Sequence, residues 1–224
     1  MKIHFVTEGD LNEFWDKTKG CNSQVIVFGF NGLERVEYEK ELKGETCKLE
    51  DLAIMSRELS SVVLSGCYTY SLGKKRKSAA IADKGRILGV SDMTRKIDES
   101  EFISGAHLHV YETSAGKIGL VVGEDLFFSE TIKTLSDCDA DIVICIFEQN
   151  TDFLPQILMR AFSFCYGIDI CLCAQGIAQA STINGELIFC SPQKESDFIA
   201  ECKREYHIVG YRRRGFKREI KDNL

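Results

Sequence analysis

Glu112–Glu130 reads ETSAGKIGLVVGEDLFFSE, and the rest of the 224-residue chain is understood from it. Ser114, Ala115 and Gly116 make a turn. Lys117–Val122 is then a short apolar run, rich in β-branched residues, of the kind that fills a strand covered on both faces. Gly123-Glu124-Asp125 breaks that run. Ser129 is placed to cap a helix through Cys138, with Phe128 and Ile132–Leu135 on its apolar side and Glu130 in its first turn. A strand ending in a tight turn before a helix presents its last residues at a sheet edge, where α/β proteins put their chemistry. The local question is what Gly123 offers there.

Composition bounds the answers. A chain of this length with 44% hydrophobic residues is read as one α/β domain spanning residues 1–224, with a basic tail at about 212–224. A net charge of −6, spread along the sequence, argues against nucleic acid as a partner. Lys74–Lys77 reads as an exposed hairpin tip and Arg212–Arg218 as a solvated terminal segment. Ten cysteines are present, but none of the usual metal-ligand spacings. Cys145, Cys165 and Cys190 lie in apolar periodic segments, where Cys acts as a small hydrophobe, and Cys171 and Cys173 share one face of a strand. No metal or other cofactor is expected. No apolar run is long enough to cross a bilayer and the first residues, MKIHFVTEGD, do not read as a secretory signal; free thiols then indicate the cytoplasm.

Taken in order, Lys2–Thr7 is a strand, Leu11, Phe14 and Trp15 give a short helix its apolar face, and Gln24–Phe30 is a buried strand. Glu34, Glu37, Glu39 and Glu41 fall in a segment read as polar and irregular. Lys48–Leu59 is an amphipathic helix. Ser61–Tyr70, Lys77–Asp83 and Arg86–Ser91 are consecutive strands joined by turns at Gly73 and Asp83-Lys84-Gly85. Asp141–Glu148 is a further central strand. Leu154, Ile157, Leu158, Ala161, Phe162 and Cys165 then mark one helical face, closed by Gly167. Ile168–Ala174, Ala178–Thr182, Gly185–Cys190 and Arg204–Arg212 supply the last strands.

Several of these segments together resemble the nitrilase superfamily, the carbon–nitrogen hydrolases. Gly116-Lys117-Ile118-Gly119, Asp125, Leu126, Phe128 and Glu130 are similar to the family's nucleophile region. Ser78-Ala79, Asp83, Gly85, Ile87, Leu88 and Gly89 match its hairpin pattern, and Arg160-Ala161 its later helix. The resemblance runs from Gln24 to Gly210 and implies a four-layer α-β-β-α sandwich that pairs as a homodimer through helices packed on its sheets. It also implies where a Glu general base, a Lys oxyanion stabiliser and a Cys nucleophile belong. Those positions hold Phe30, Met93 and Gly123.

A hydrolase of this kind needs a thiolate to attack, a carboxylate to activate it and an ammonium to hold the developing charge. None of the three residues supplies these, and because groups acting as one catalytic unit are not additive, losing even the nucleophile removes several orders of magnitude in rate. The sequence therefore reads as a pseudoenzyme, kept for binding a small molecule or for assembly. Glu124, Asp125, Phe127 and Glu148 are the expected lining of an acidic, aromatic pocket suited to a small amine or amide. The alternative is an active amidase using Cys145 as substitute nucleophile and Lys96 as substitute cation.

Overall fold

The structure is a computed structural model describing residues 1–15, 21–96, 101–149 and 153–202. Apolar runs and alternating segments are realised in strands β1 (Lys2–Val6), β2 (Val25–Phe28), β3 (Glu34–Glu37), β4 (Val62–Ser71), β5 (Lys74–Asp83), β6 (Arg86–Asp92) and β7 (His109–Thr113). They continue in β8 (Gly116–Val122), β9 (Ile142–Gln149), β10 (Asp169–Gln175), β11 (Ile177–Ser181), β12 (Leu187–Ser191) and β13 (Glu195–Ile199). Helices α1 (Leu11–Trp15), α2 (Tyr38–Lys43), α3 (Lys48–Glu58), α4 (Ser129–Asp137) and α5 (Leu154–Tyr166) connect them.

Two sheets form. One runs β13-β1-β2-β4-β5-β6 with β3 beside β4, the other β12-β11-β10-β9-β8-β7. The central strands of each are parallel, as their unbroken apolar runs require. Alternation divides their side chains between two layers. Val27, Leu64 and Ile81 meet Leu120, Ile144 and Cys171 between the sheets. On the outside of the first sheet, Phe14, Leu52 and Met55 cover Phe28 and Val63. On the outside of the second, Leu135 and Met159 cover Val121, Cys145 and Leu172. Each such fully buried side chain contributes roughly 1.5–3 kcal/mol of transfer free energy, so all three apolar layers hold the sheets and helices together. The architecture is the expected four-layer α-β-β-α sandwich.

Some local readings differ from the outcome. The Glu34–Glu41 segment is ordered as β3 and α2. Glu37 there pairs with Arg35 and Lys40, and Glu41 accepts from Thr46 and from the backbone N–H groups of Lys48 and Leu49 at the start of α3. Helix α4 begins at Ser129 with Phe128 in the capping position and no side-chain cap, so Ser129 is its first residue rather than its cap. In α5 the apolar face is the outward one: the helix buries Pro155, Met159 and Ser163, while Ile157 is 57% exposed. The last described strand, β13, runs antiparallel to β1. The strand expected at Arg204–Arg212 and the basic Arg212–Arg218 run lie outside the described residues.

Candidate functional site

Strand β8 stops at Val122, and Gly123 turns the chain with φ at +52°, a conformation in which any side chain is strained. A Cβ built there would lie 3.4 Å from Met93 Sδ and 3.9 Å from Lys77 Cδ. Phe30 is buried in the same inter-sheet layer as Met93 and packs on Tyr68 with ring centroids 5.2 Å apart. Met93 and Gly123, far apart in sequence, thus meet at one spot at the end of β8, with Phe30 in the same layer beside Tyr68.

Lys77 occupies that spot. On β5 it is in phase with Ala79 and Ile81, so it faces the other sheet, and it is only 9% exposed. Its ammonium donates to Glu124 Oε1 at 2.8 Å and meets Glu148 Oε2 at 3.1 Å. Burial pulls the Lys77 pKa down, but the two carboxylates outweigh it and the net direction is up. Tyr68, opposite Lys77 in the β4–β5 register, donates its hydroxyl to Glu148 Oε1. Burial pushes the Glu148 carboxyl up, yet Tyr68 and Lys77 together bring it below the ordinary carboxylate range. The same burial, with Glu148 beside it, raises the Tyr68 phenol. Phe102 closes the aromatic side, stacked on Tyr68 at 5.7 Å and 5.3 Å from Lys77 Nζ. Glu124 Oε2 is buried and has no hydrogen-bond partner among the described residues.

The four expected pocket residues therefore separate. Glu124 and Glu148 converge on Lys77. Asp125 turns away and accepts from Thr94 N at 2.7 Å, Thr94 Oγ1 at 3.0 Å and Arg95 N at 2.7 Å, pinning the chain just beyond Met93. Burial raises its pKa, and those bonds restrain the rise. Phe127 faces the helical side, its ring 5.7 Å from Phe147. The aromatic lining belongs instead to Phe30, Tyr68 and Phe102.

The substitutes fare differently. Cys145 is fully buried on the helical face of β9, among Val121, Met159 and Leu172, and desolvation pushes its thiol well above the usual value. The inter-sheet layer lies on the other side of its strand, where Ile144 and Ile146 point. Lys96 is exposed. The cation at the site is Lys77, from the basic run read as a solvated hairpin tip. Two carboxylates and an ammonium are thus within contact of one another, beside a glycine.

No family model matches the sequence, and no curated protein matches it in sequence. Solved structures do match in shape. An amidase from Nesterenkonia sp. AN1, carrying a glutamate-to-glutamine mutation and the product of Michael addition of acrylamide at its active-site cysteine, superposes with a TM-score of 0.75 at 14% identity, covering 88% of this chain and 91% of that one. A cysteine-to-alanine mutant of that amidase in complex with butyramide gives 0.73 at 14% identity, covering 88% of each chain. A carbon–nitrogen hydrolase from Helicobacter pylori G27 gives 0.71 at 14% identity, over 88% of this chain and 87% of that one. The fold is that of nitrilase-superfamily amidases and carbon–nitrogen hydrolases.

Proposed function

We propose that this chain is a nitrilase-fold protein that binds a small amide in the cleft at Lys77 without hydrolysing it. The observation that carries the reading is Gly123 beside the Lys77–Glu124–Glu148 cluster: a charged anchor stands where no nucleophile can. One ammonium between two carboxylates leaves one unit of negative charge, and Glu124 Oε2 lacks a donor. A primary amide satisfies both sides of that arrangement, its N–H group donating to Glu124 and its carbonyl accepting from Lys77. An amine meets only the first. The Glu148 side chain is 43% exposed and that of Glu124 26%, so the cluster borders water on the Glu148 side, and an amide must uncover the buried Glu124 Oε2 to bind it.

Butyramide, which the similar amidase mutant holds, is a suitable probe. A saturable rise in Tm with butyramide, larger than with butylamine and abolished in Glu124→Ala, is the expected result. No stabilisation by any member of an amide and amine panel would count against a ligand site.

The outward face of α5 supports pairing of two copies. Ile157 and Phe164 are 57% and 43% exposed there, with Phe153 at 78% just before the helix. Such a row on water favours covering by a like surface. Sedimentation is expected to give a dimer that Ile157→Glu converts to monomer; an unmodified chain that sediments as a monomer removes the pairing.

A further inference from the structure

On the far side of the first sheet, away from the cleft, three side chains of different chemistry meet. Ile3 and Phe5 of β1 point between the sheets, so His4 points outward, where its ring lies 5.2 Å from that of Phe14. Asp197 on β13 is its register partner, 193 positions later, and its Oδ1 is 2.9 Å from His4 Nδ1. Cys21, in the segment leading to β2, comes in from the other side. Its Sγ is 3.3 Å from Ser23 Oγ, which is itself 3.5 Å from Asp197 Oδ1. The ligand atoms of His4, Cys21 and Asp197 lie within 4.8 Å of one another.

We propose that His4, Cys21 and Asp197 bind a divalent metal ion of the zinc class, fastening β13 and the approach to β2 onto β1. Imidazole nitrogen, thiolate and carboxylate form a donor set of intermediate softness that suits Zn²⁺ and Co²⁺ rather than Mg²⁺ or Ca²⁺. Tetrahedral bonds of about 2.0–2.3 Å place donor atoms roughly 3.3–3.8 Å apart, so the His4–Asp197 pair at 2.9 Å must open slightly while the widest separation, within 4.8 Å, closes. The fourth position is left to water.

With its proton on Nδ1 and donated to Asp197, neutral His4 leaves Nε2 as a buried acceptor with no hydrogen-bond partner among the described residues. Metal binding reverses the ring's tautomer. Nδ1 gives its lone pair to the ion, the proton sits on Nε2, and Glu195 Oε2, now 3.7 Å away, becomes the carboxylate that orients the imidazole. The Cys21 thiol loses its proton to solvent as the metal–sulfur bond forms. Spacing rules miss such a site because its ligands come from both ends of the chain.

The test uses the full chain, stripped of metal and titrated with Co²⁺. Expected is a thiolate-to-cobalt charge-transfer band saturating at one ion per chain, lost in Cys21→Ser and retained in Cys47→Ser, which removes an exposed thiol elsewhere. Asp197→Asn, on an exposed side chain, should weaken binding by roughly tenfold or more while leaving the fold intact. Absence of the band, or a band undiminished by both Cys21→Ser and Asp197→Asn, overturns the proposal. Because the site is on the opposite face of the sheet from Lys77, its failure leaves the amide-binding reading untouched.

Discussion

Asp125 has both oxygens engaged by three donors and is 1% exposed, whereas Glu124, its neighbour in the chain, has one oxygen on Lys77 and the other on nothing described. The two residues leave the same strand end by the same turn. A carboxylate whose hydrogen-bonding capacity is used up within the chain holds the fold; one with a buried, unsatisfied acceptor beside a cation costs stability and calls for a partner. The difference separates the part of this strand end that positions the chain from the part on which the amide-binding proposal rests.

Removing the structural member is expected to have the largest effect on stability. Asp125→Ala leaves the N–H groups of Thr94 and Arg95 without their acceptor, a loss of roughly 3 kcal/mol measurable as a lower midpoint in urea unfolding. A change under about 0.5 kcal/mol would show that those groups find other partners.

Removing the cation should do less. Lys77→Met leaves two carboxylates facing each other, but Glu148 is partly solvated, so roughly 1–2 kcal/mol is expected at neutral pH. The pH dependence follows from the directions of the shifts. Glu148 is lowered, so its contribution is present above its unfolded value and lost as pH falls through the folded one. Lys77 is raised, so its contribution is present below its unfolded value and lost as pH rises through the folded one. The gap between wild type and Lys77→Met should therefore be full at neutral pH and close at both the acid and alkaline ends. A gap that is constant with pH would mean that the ammonium contributes by packing alone.

Much of this was legible in the sequence, and the reason is alternation. Ile142, Ile144 and Ile146 in one phase and Val143 and Cys145 in the other specify a strand buried on both faces, and the Gly116–Glu130 segment specifies the turn that ends its neighbour. The same phase contains what was missed. Lys77 is in step with Ala79 and Ile81, which assigns it to the inter-sheet face, while its position in the run Lys74–Lys77 suggested solvent. Cys145, in step with Val143 and Phe147, belongs to the helical face and not to the cleft. For α5 the apolar pattern located the helix but not its orientation, because an exposed apolar face and a buried one have the same period. The His4–Asp197 pairing depends on β13 folding back onto β1, which no local pattern encodes.

Ammonia release by the full chain, over a broad panel of amides and nitriles, tests most directly whether the cleft performs hydrolysis. Release at the level of the heat-denatured control is expected for every compound. Turnover above that level, abolished by Lys77→Met or by Cys145→Ala, would contradict the reading of Gly123 as the missing nucleophile.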